Sequence, residues 1–347
     1  HPDRPGVKSF FESWGDRCSI INGLEVQSIT HDRCLRLVHT GFGDETADDW
    51  GSQLAAASLN DLQLPYILVS GFSFTGTLTS QTVRLGPTGQ LHGLVTGDHL
   101  TARSEMPVSL PSNESEALVH EYLQSRIADY ETVSDAGRAE IWGSQHSRIM
   151  EQLPNLADYT HLMQTGALNH GDLPEWGALY NAVQYLGTGL SRCAMVKYEG
   201  RYSAGWDTHS DNGFQSFHFM DLFEHLNMLM DTLATEDGLF GGKLIDEITV
   251  VVFSEMGRSP LLNSFDGKDH FTYTSALLMG SGIAGGTMVG ATDDYGVGEP
   301  VDLESGHAHF TGVNLDARHI GATLLRLGDA PKPEEMNGYD PILASLY

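Results

Sequence analysis

Short apolar runs, each closed by a charged, polar or glycine residue, recur along this chain at residues 18–24, 65–71, 194–198, 248–253 and 276–279. Runs this short are strand length, and near-continuous apolarity without polar alternation is what a strand needs when both of its faces are covered. Helical periodicity lies between them. Phe219, Leu222, Leu226, Leu229 and Leu233 fall on one face of a helix that the spacing predicts over residues 215–234, with Asp221, Glu224 and Asp231 turned elsewhere. Residues 116–150, 172–190 and 315–327 give further helices. Strands alternating with helices imply an α/β fold with a mainly parallel central sheet sandwiched by helices. The chain is read as a single domain over residues 1–347, whose polar opening implies that a leader segment and a first strand precede it. Residues 280–298 are rich in glycine and are expected to form loops and tight turns.

Composition narrows the function classes. A formal charge of -27, with 19 Lys and Arg against 46 Asp and Glu, argues against nucleic acid and anionic membranes as partners, because phosphate binding needs clustered cations. No apolar stretch reaches the roughly 18 residues needed to span a bilayer. Cys18, Cys34 and Cys193 allow at most one disulfide and match no zinc-knuckle spacing. The acidic, Lys-poor surface suits a secreted, periplasmic or cell-surface setting.

In an open parallel sheet, ligands sit beyond the carboxyl ends of the strands, so the polar residues that follow each apolar run are the ones to inspect. Residues 194–198 lead into Gly-Trp-Asp207-Thr-His209, residues 248–253 end in Ser-Glu255-Met256-Gly-Arg258, and Gly-Lys-Asp269-His270 follows shortly after. Carboxylates and imidazoles are the donors a divalent cation takes, so Asp207, His209, Glu255, Asp269 and His270 form a candidate metal set. Arg258 is either an anion clamp or a plain ion-pair partner. After the first apolar run, Thr30-His31-Asp32 opens a helix, where free N–H groups and the dipole favour an anion; Thr30 also serves as a simple N-cap. Of the other histidines, His307 and His309 lie in a loop, and His170, His218 and His225 read as surface groups.

The order GWDTH, a long helix, VVVFSEMGRSP, GKDH, the glycine-rich LLMGSGIAGGTMVGATDDYG and a helix ending in LLRLGD resembles the domain-of-unknown-function 1501 family, itself similar to the alkaline phosphatase and sulfatase superfamily. The likeness covers about residues 194–327, with a weaker one over 30–41. The resemblance implies an alkaline phosphatase-like sheet with one or two divalent metals (zinc, manganese, magnesium or calcium) at its strand ends. It places Asp207, His209 and His270 in one metal site and Glu255 in a second, with Thr30, or His31 if the register shifts by one, as nucleophile. Asp32 and Arg258 would position the leaving group or hold the anion.

The chain departs from the superfamily pattern in places. Asp207 and His209 stand closer together than the corresponding pair, and Met256 follows Glu255 where phosphatases carry a histidine. A thioether is a poor ligand for a hard cation. The expected function is a metal-dependent hydrolase of phosphate or sulfate esters acting on a small molecule or polymer. The alternative is a catalytically degenerate protein with a structural or binding role on a cell surface or in an extracellular assembly, with protein partners there.

Overall fold

The computed structural model describes residues 4–58, 62, 64–79, 82–84, 112–132, 174–200 and 205–347. By its contacts the chain divides into two compact units, His1–Arg84 with Leu173–Tyr347, and Leu85–Asp172.

The first unit opens with helix α1 (Pro5–Trp14), strand β1 (Cys18–Glu25) and helices α2 (His31–Thr40) and α3 (Trp50–Ala56). Short strands β2 (Tyr66–Leu68) and β3 (Thr82–Arg84) follow. In the second unit the described element is helix α4 (Asn113–Thr132); the remainder of the helical expectation over 116–150 lies outside the described residues, as does His170. The first unit resumes with α5 (Pro174–Gly187), β4 (Cys193–Met195) and the long helix α6 (Phe214–Thr235). It closes with β5 (Thr249–Phe253), β6 (Gly257–Arg258), β7 (His270–Phe271), β8 (Tyr273–Gly280), β9 (Thr287–Val289) and α7 (Ala317–Leu327).

Each apolar run that reads as a strand forms one, but the strands divide between separate sheets, and the mainly parallel pairing expected of one central sheet holds only in the smaller of the two described next. Strands β3, β2 and β4 make a three-stranded sheet that is parallel throughout. The larger sheet, in the order β5-β8-β1-β9, is mixed: β8 runs antiparallel to both β5 and β1, and only β1 with β9 is parallel. A parallel return needs a crossover of a dozen or more residues, usually helical. Residues 254–272 contain no helix, only loop and the β6–β7 ribbon, so the chain re-enters beside β5 in the opposite direction. Strand β9, pairing with β1 over Ser19 to Ile21, lies inside the glycine-rich segment expected to be loop alone.

Helices cover both faces of the larger sheet, and residue alternation decides which side chain goes where. Leu277 and Met279 of β8 join Val250 and Val252 of β5 in one cluster, packed on Phe10 of α1 and on Leu226, Leu229, Met230 and Leu233 of α6. Ala276 and Leu278 face the other way with Val251 and Phe253, against Val289, Ile320 and Leu324. Helix α6 also buries its second flank: His218, Asp221 and His225 are interior, not surface groups, with the Tyr198 hydroxyl 2.7 Å from His225 Nδ1. The apolar spacing marks one face of this helix and is silent about a buried polar one. Cys18, Cys34 and Cys193 are free thiols. Among the described residues no helix is long and apolar enough to cross a membrane.

Candidate metal centre

Sheet register explains why distant segments meet. Glu25 at the end of β1 pairs with Tyr273 at the start of β8, and Phe253 at the end of β5 pairs with Ala276. The residues just after β1 and β5 therefore face those just before β8. Val26 N–H extends this pairing to the Thr272 carbonyl (2.7 Å), and α2 begins at His31. Across the β6–β7 ribbon, Arg258 pairs with His270. The Asp207 segment is sewn to the same edge by Lys268 N–H to the Thr208 carbonyl (3.0 Å) and by a bridge between Ser210 and Asp266.

Gly267 makes the approach possible, since a Cβ there would lie 2.0 Å from the His209 carbonyl oxygen. Gln27, Asp211 and Asp266, with φ of 62°, 53° and 56°, sit in the left-handed region on the segments that deliver the cluster. Non-glycine residues held there store backbone strain of the kind that gathers at functional sites.

Asp207 is the hub. Its Oδ1 lies 3.1 Å from His270 Nε2 and 3.2 Å from His209 Nε2, and those two nitrogens are 2.9 Å apart. Its Oδ2 is 3.3 Å from His31 Nε2, while His31 Nδ1 lies 2.9 Å from Glu255 Oε1. One donor atom each from His31, Asp207 and His270 fall within 4.8 Å of one another, a triad compatible with a divalent metal.

The far ring nitrogens are anchored. His270 Nδ1 is 2.6 Å from the Ile29 carbonyl, and His209 Nδ1 is 3.1 Å from Asp269 Oδ1. A carbonyl can only accept, so His270 Nδ1 carries a proton, and Nε2 is left to donate to Asp207 Oδ1 when it is protonated or to offer a lone pair to a cation when it is not. His209 follows the same logic, because Asn263 and His209 hydrogen bonds hold the Asp269 carboxyl below the usual carboxylate range and therefore ionised.

Arg258 forms an ion pair with Asp207 Oδ1 and donates to the Lys268 carbonyl (3.2 Å). Partial burial pushes the Asp207 carboxyl up, but the hydrogen bonds from Arg258 and His270, together with the charges of Arg258 and His209, outweigh it and leave it well below its ordinary range. Of the two roles open to Arg258, the structure shows the ion pair.

The candidate residues divide by position. Asp207, His209, Glu255, His270 and His31 meet, with Asp269 behind His209 and Arg258 on Asp207. Thr30 holds the N-cap position of α2, exposed and without a capping hydrogen bond from its side chain. Asp32 is exposed in the first turn, and His307 and His309 lie exposed in their own loop, His309 Nδ1 2.9 Å from the Thr311 hydroxyl. Met256 turns inward, buried with Cys34, Leu37 and Val38, so it anchors α2 against the strand that delivers Glu255. Asn263 escaped the sequence reading: its side-chain amide donates to the His209 carbonyl (2.9 Å) and to Asp269 (3.0 Å). Its only signal was a polar residue within the apolar SPLLNSF stretch.

A family model described as a protein of unknown function (DUF1501) matches residues 188–321. That span holds Asp207, His209, Glu255, Arg258, Asp269 and His270, while His31 lies outside it. No curated protein matches the chain.

Proposed function

We propose that the chain is a metal-dependent hydrolase of phosphate or sulfate esters, with a divalent cation held by Asp207, His209 and His270 and assisted by His31. The observation that carries this is the 2.9 Å approach of two imidazole Nε2 atoms beside a carboxylate oxygen, with both rings anchored through Nδ1. Two ring nitrogens this close need a shared proton or a cation between them, and a divalent cation would satisfy both rings and the Asp207 carboxylate at once. Separations of 2.9, 3.1 and 3.2 Å are the edges of a coordination face with bonds of about 2.0–2.2 Å. The anchoring of each ring by a carboxylate or a carbonyl is the usual outer support of a ligating histidine. An imidazole-rich set favours zinc over magnesium or calcium.

A cation held here would polarise an ester oxygen and offset charge in the transition state. The chain's own groups supply the rest. Arg258 keeps Asp207 ionised and aimed, and Glu255 fixes the His31 ring. Thr30 offers a hydroxyl at the N-cap of α2, beside the free N–H groups and the dipole that favour an anion, and we assign it the nucleophile's place. A secreted or periplasmic setting belongs to the same proposal and rests on the acidic composition. The second reading, a non-catalytic protein of a cell surface or extracellular assembly, is favoured by Met256, which fills core where a further ligand would stand.

Elemental mass spectrometry of the wild type and of the double variant Asp207→Ala with His270→Ala, alongside turnover of aryl phosphate and aryl sulfate, tests the assignment. Metal and turnover are expected in the wild type and absent from the variant. Metal without turnover on either ester favours the second reading, and a wild type free of metal after reconstitution overturns the centre itself.

A further inference from the structure

The loop at residues 259–268 borders the cluster and is pinned along its length. Ser259 N–H donates to the Asp269 carbonyl (2.9 Å), Asp211 N–H to the Phe265 carbonyl (3.2 Å) and Asn212 N–H to the Asp266 carbonyl (2.9 Å). Asn263 ties its middle to His209 and Asp269. Yet this fixed loop leaves Leu261, Leu262 and Phe265 at 78%, 58% and 73% exposure.

Beside it stands Tyr295, 78% exposed, on a turn packed against the same segment: a Cβ at Gly296 would come within 3.1 Å of Pro260 Cγ and 3.4 Å of Phe271 Cε1. Ile29, whose carbonyl anchors His270, is also exposed. Large apolar side chains held in water by a rigid loop, next to convergent polar groups, mark a place where an apolar body is received.

Charge selects among possible occupants. Arg258 is committed to Asp207, and the Lys268 ammonium, the one cation in this loop, reaches the Pro260 carbonyl (3.3 Å). A polyanionic substrate needs a row of cations to follow its charges, and the chain carries -27 overall. A single anionic head meets no such demand.

We infer that the substrate is a monoester of an apolar chain or ring, its one anionic head at the cluster and its hydrocarbon portion over Leu261, Leu262, Phe265 and Tyr295; this rests on the hydrolase proposal for the place of the head. Sulfated or phosphorylated polymers are thereby disfavoured.

Calorimetric titration of the full chain with alkylphosphonates from butyl to octyl, kept below micelle formation, tests it, because their carbon–phosphorus bond resists ester hydrolysis. Affinity should rise by up to about three- to fourfold per methylene, the value for full burial. In the triple variant Leu261→Ser, Leu262→Ser, Phe265→Ser, octyl affinity should fall at least about tenfold while butyl changes less than about twofold. A flat series in the wild type, or an undiminished slope in the variant, overturns the inference. So does a wild-type dimer in sedimentation velocity that the triple substitution dissociates, since a second copy would then cover the patch. A chain that holds no metal yet keeps the slope refutes the hydrolase proposal and supports the apolar rim, whereas a metal-loaded chain with a flat series refutes the rim alone.

Discussion

Removing the support behind one ligand should weaken the centre by an amount the structure bounds. Asp269 Oδ1 lies 3.1 Å from His209 Nδ1 and 3.0 Å from the Asn263 amide, so it fixes both the tautomer and the orientation of the His209 ring. In Asp269→Ala the ring is free to place its proton on Nε2, which then points at His270 Nε2 in place of a lone pair. Losing such outer support costs about 10–100-fold in metal affinity. The lower end applies here. The Asp269 side chain is 62% exposed, so water supplies a substitute acceptor, and the Asn263 bond to the His209 carbonyl keeps the backbone in place. We expect about a tenfold loss of zinc affinity in Asp269→Ala by competition with a chromophoric chelator. Asp269→Asn, whose amide oxygen still accepts, should lose less, and neither variant should change the fold by circular dichroism. Affinity within about threefold of wild type in both Asp269→Ala and His209→Ala would show that His209 orients no ion and would refute the tautomer argument.

Two further substitutions test the frame that holds the site. Gly321 of α7 lies against Trp50, where a Cβ would come 2.4 Å from the ring, so Gly321→Ala should destabilise by about 1–2 kcal/mol in urea despite the better helix propensity of alanine, and a gain in stability would sink the packing assignment. Asp316 caps α7: its carboxylate accepts from Arg318 N–H (2.9 Å) and pairs with the Arg318 guanidinium, while its own N–H reaches His319 Nδ1 (3.2 Å). Asp316→Ala should cost about 1–2 kcal/mol. Burial raises the Asp316 carboxyl, but the neighbouring His319 and Arg318 outweigh this and hold it below its ordinary value of 3.8. A depressed folded value means stability that is present above the unfolded value and lost as pH falls through the folded one. The gap between wild type and Asp316→Ala should therefore narrow below about pH 4, and a constant gap in acid denaturation would contradict it.

The strand-length apolar runs were legible because burial on both faces demands apolar side chains at every position. The helix at 215–234 was equally legible, because one face of it packs on the sheet at a 3.6-residue period. The donor chemistry of Asp207, His209, Glu255, Asp269 and His270 could be named from residue type and from their position after apolar runs. His218 and His225 could not be placed, since a buried polar flank leaves no periodic trace.

What the chain alone determined was therefore its inventory: strands, helices and a set of carboxylates and imidazoles suited to a cation. Only the tertiary structure decided the direction of β8, and with it the arrangement of the site. Because β8 returns antiparallel, pairing Glu25 with Tyr273 and Phe253 with Ala276, His270 before one strand meets His31 after another and Glu255 after a third. Register of that kind follows from which connections have room for a crossover and from hydrogen bonds between residues far apart in sequence. The same long-range packing turned Met256 into core and Asn263 into a brace, because each role depends on neighbours that no local pattern encodes.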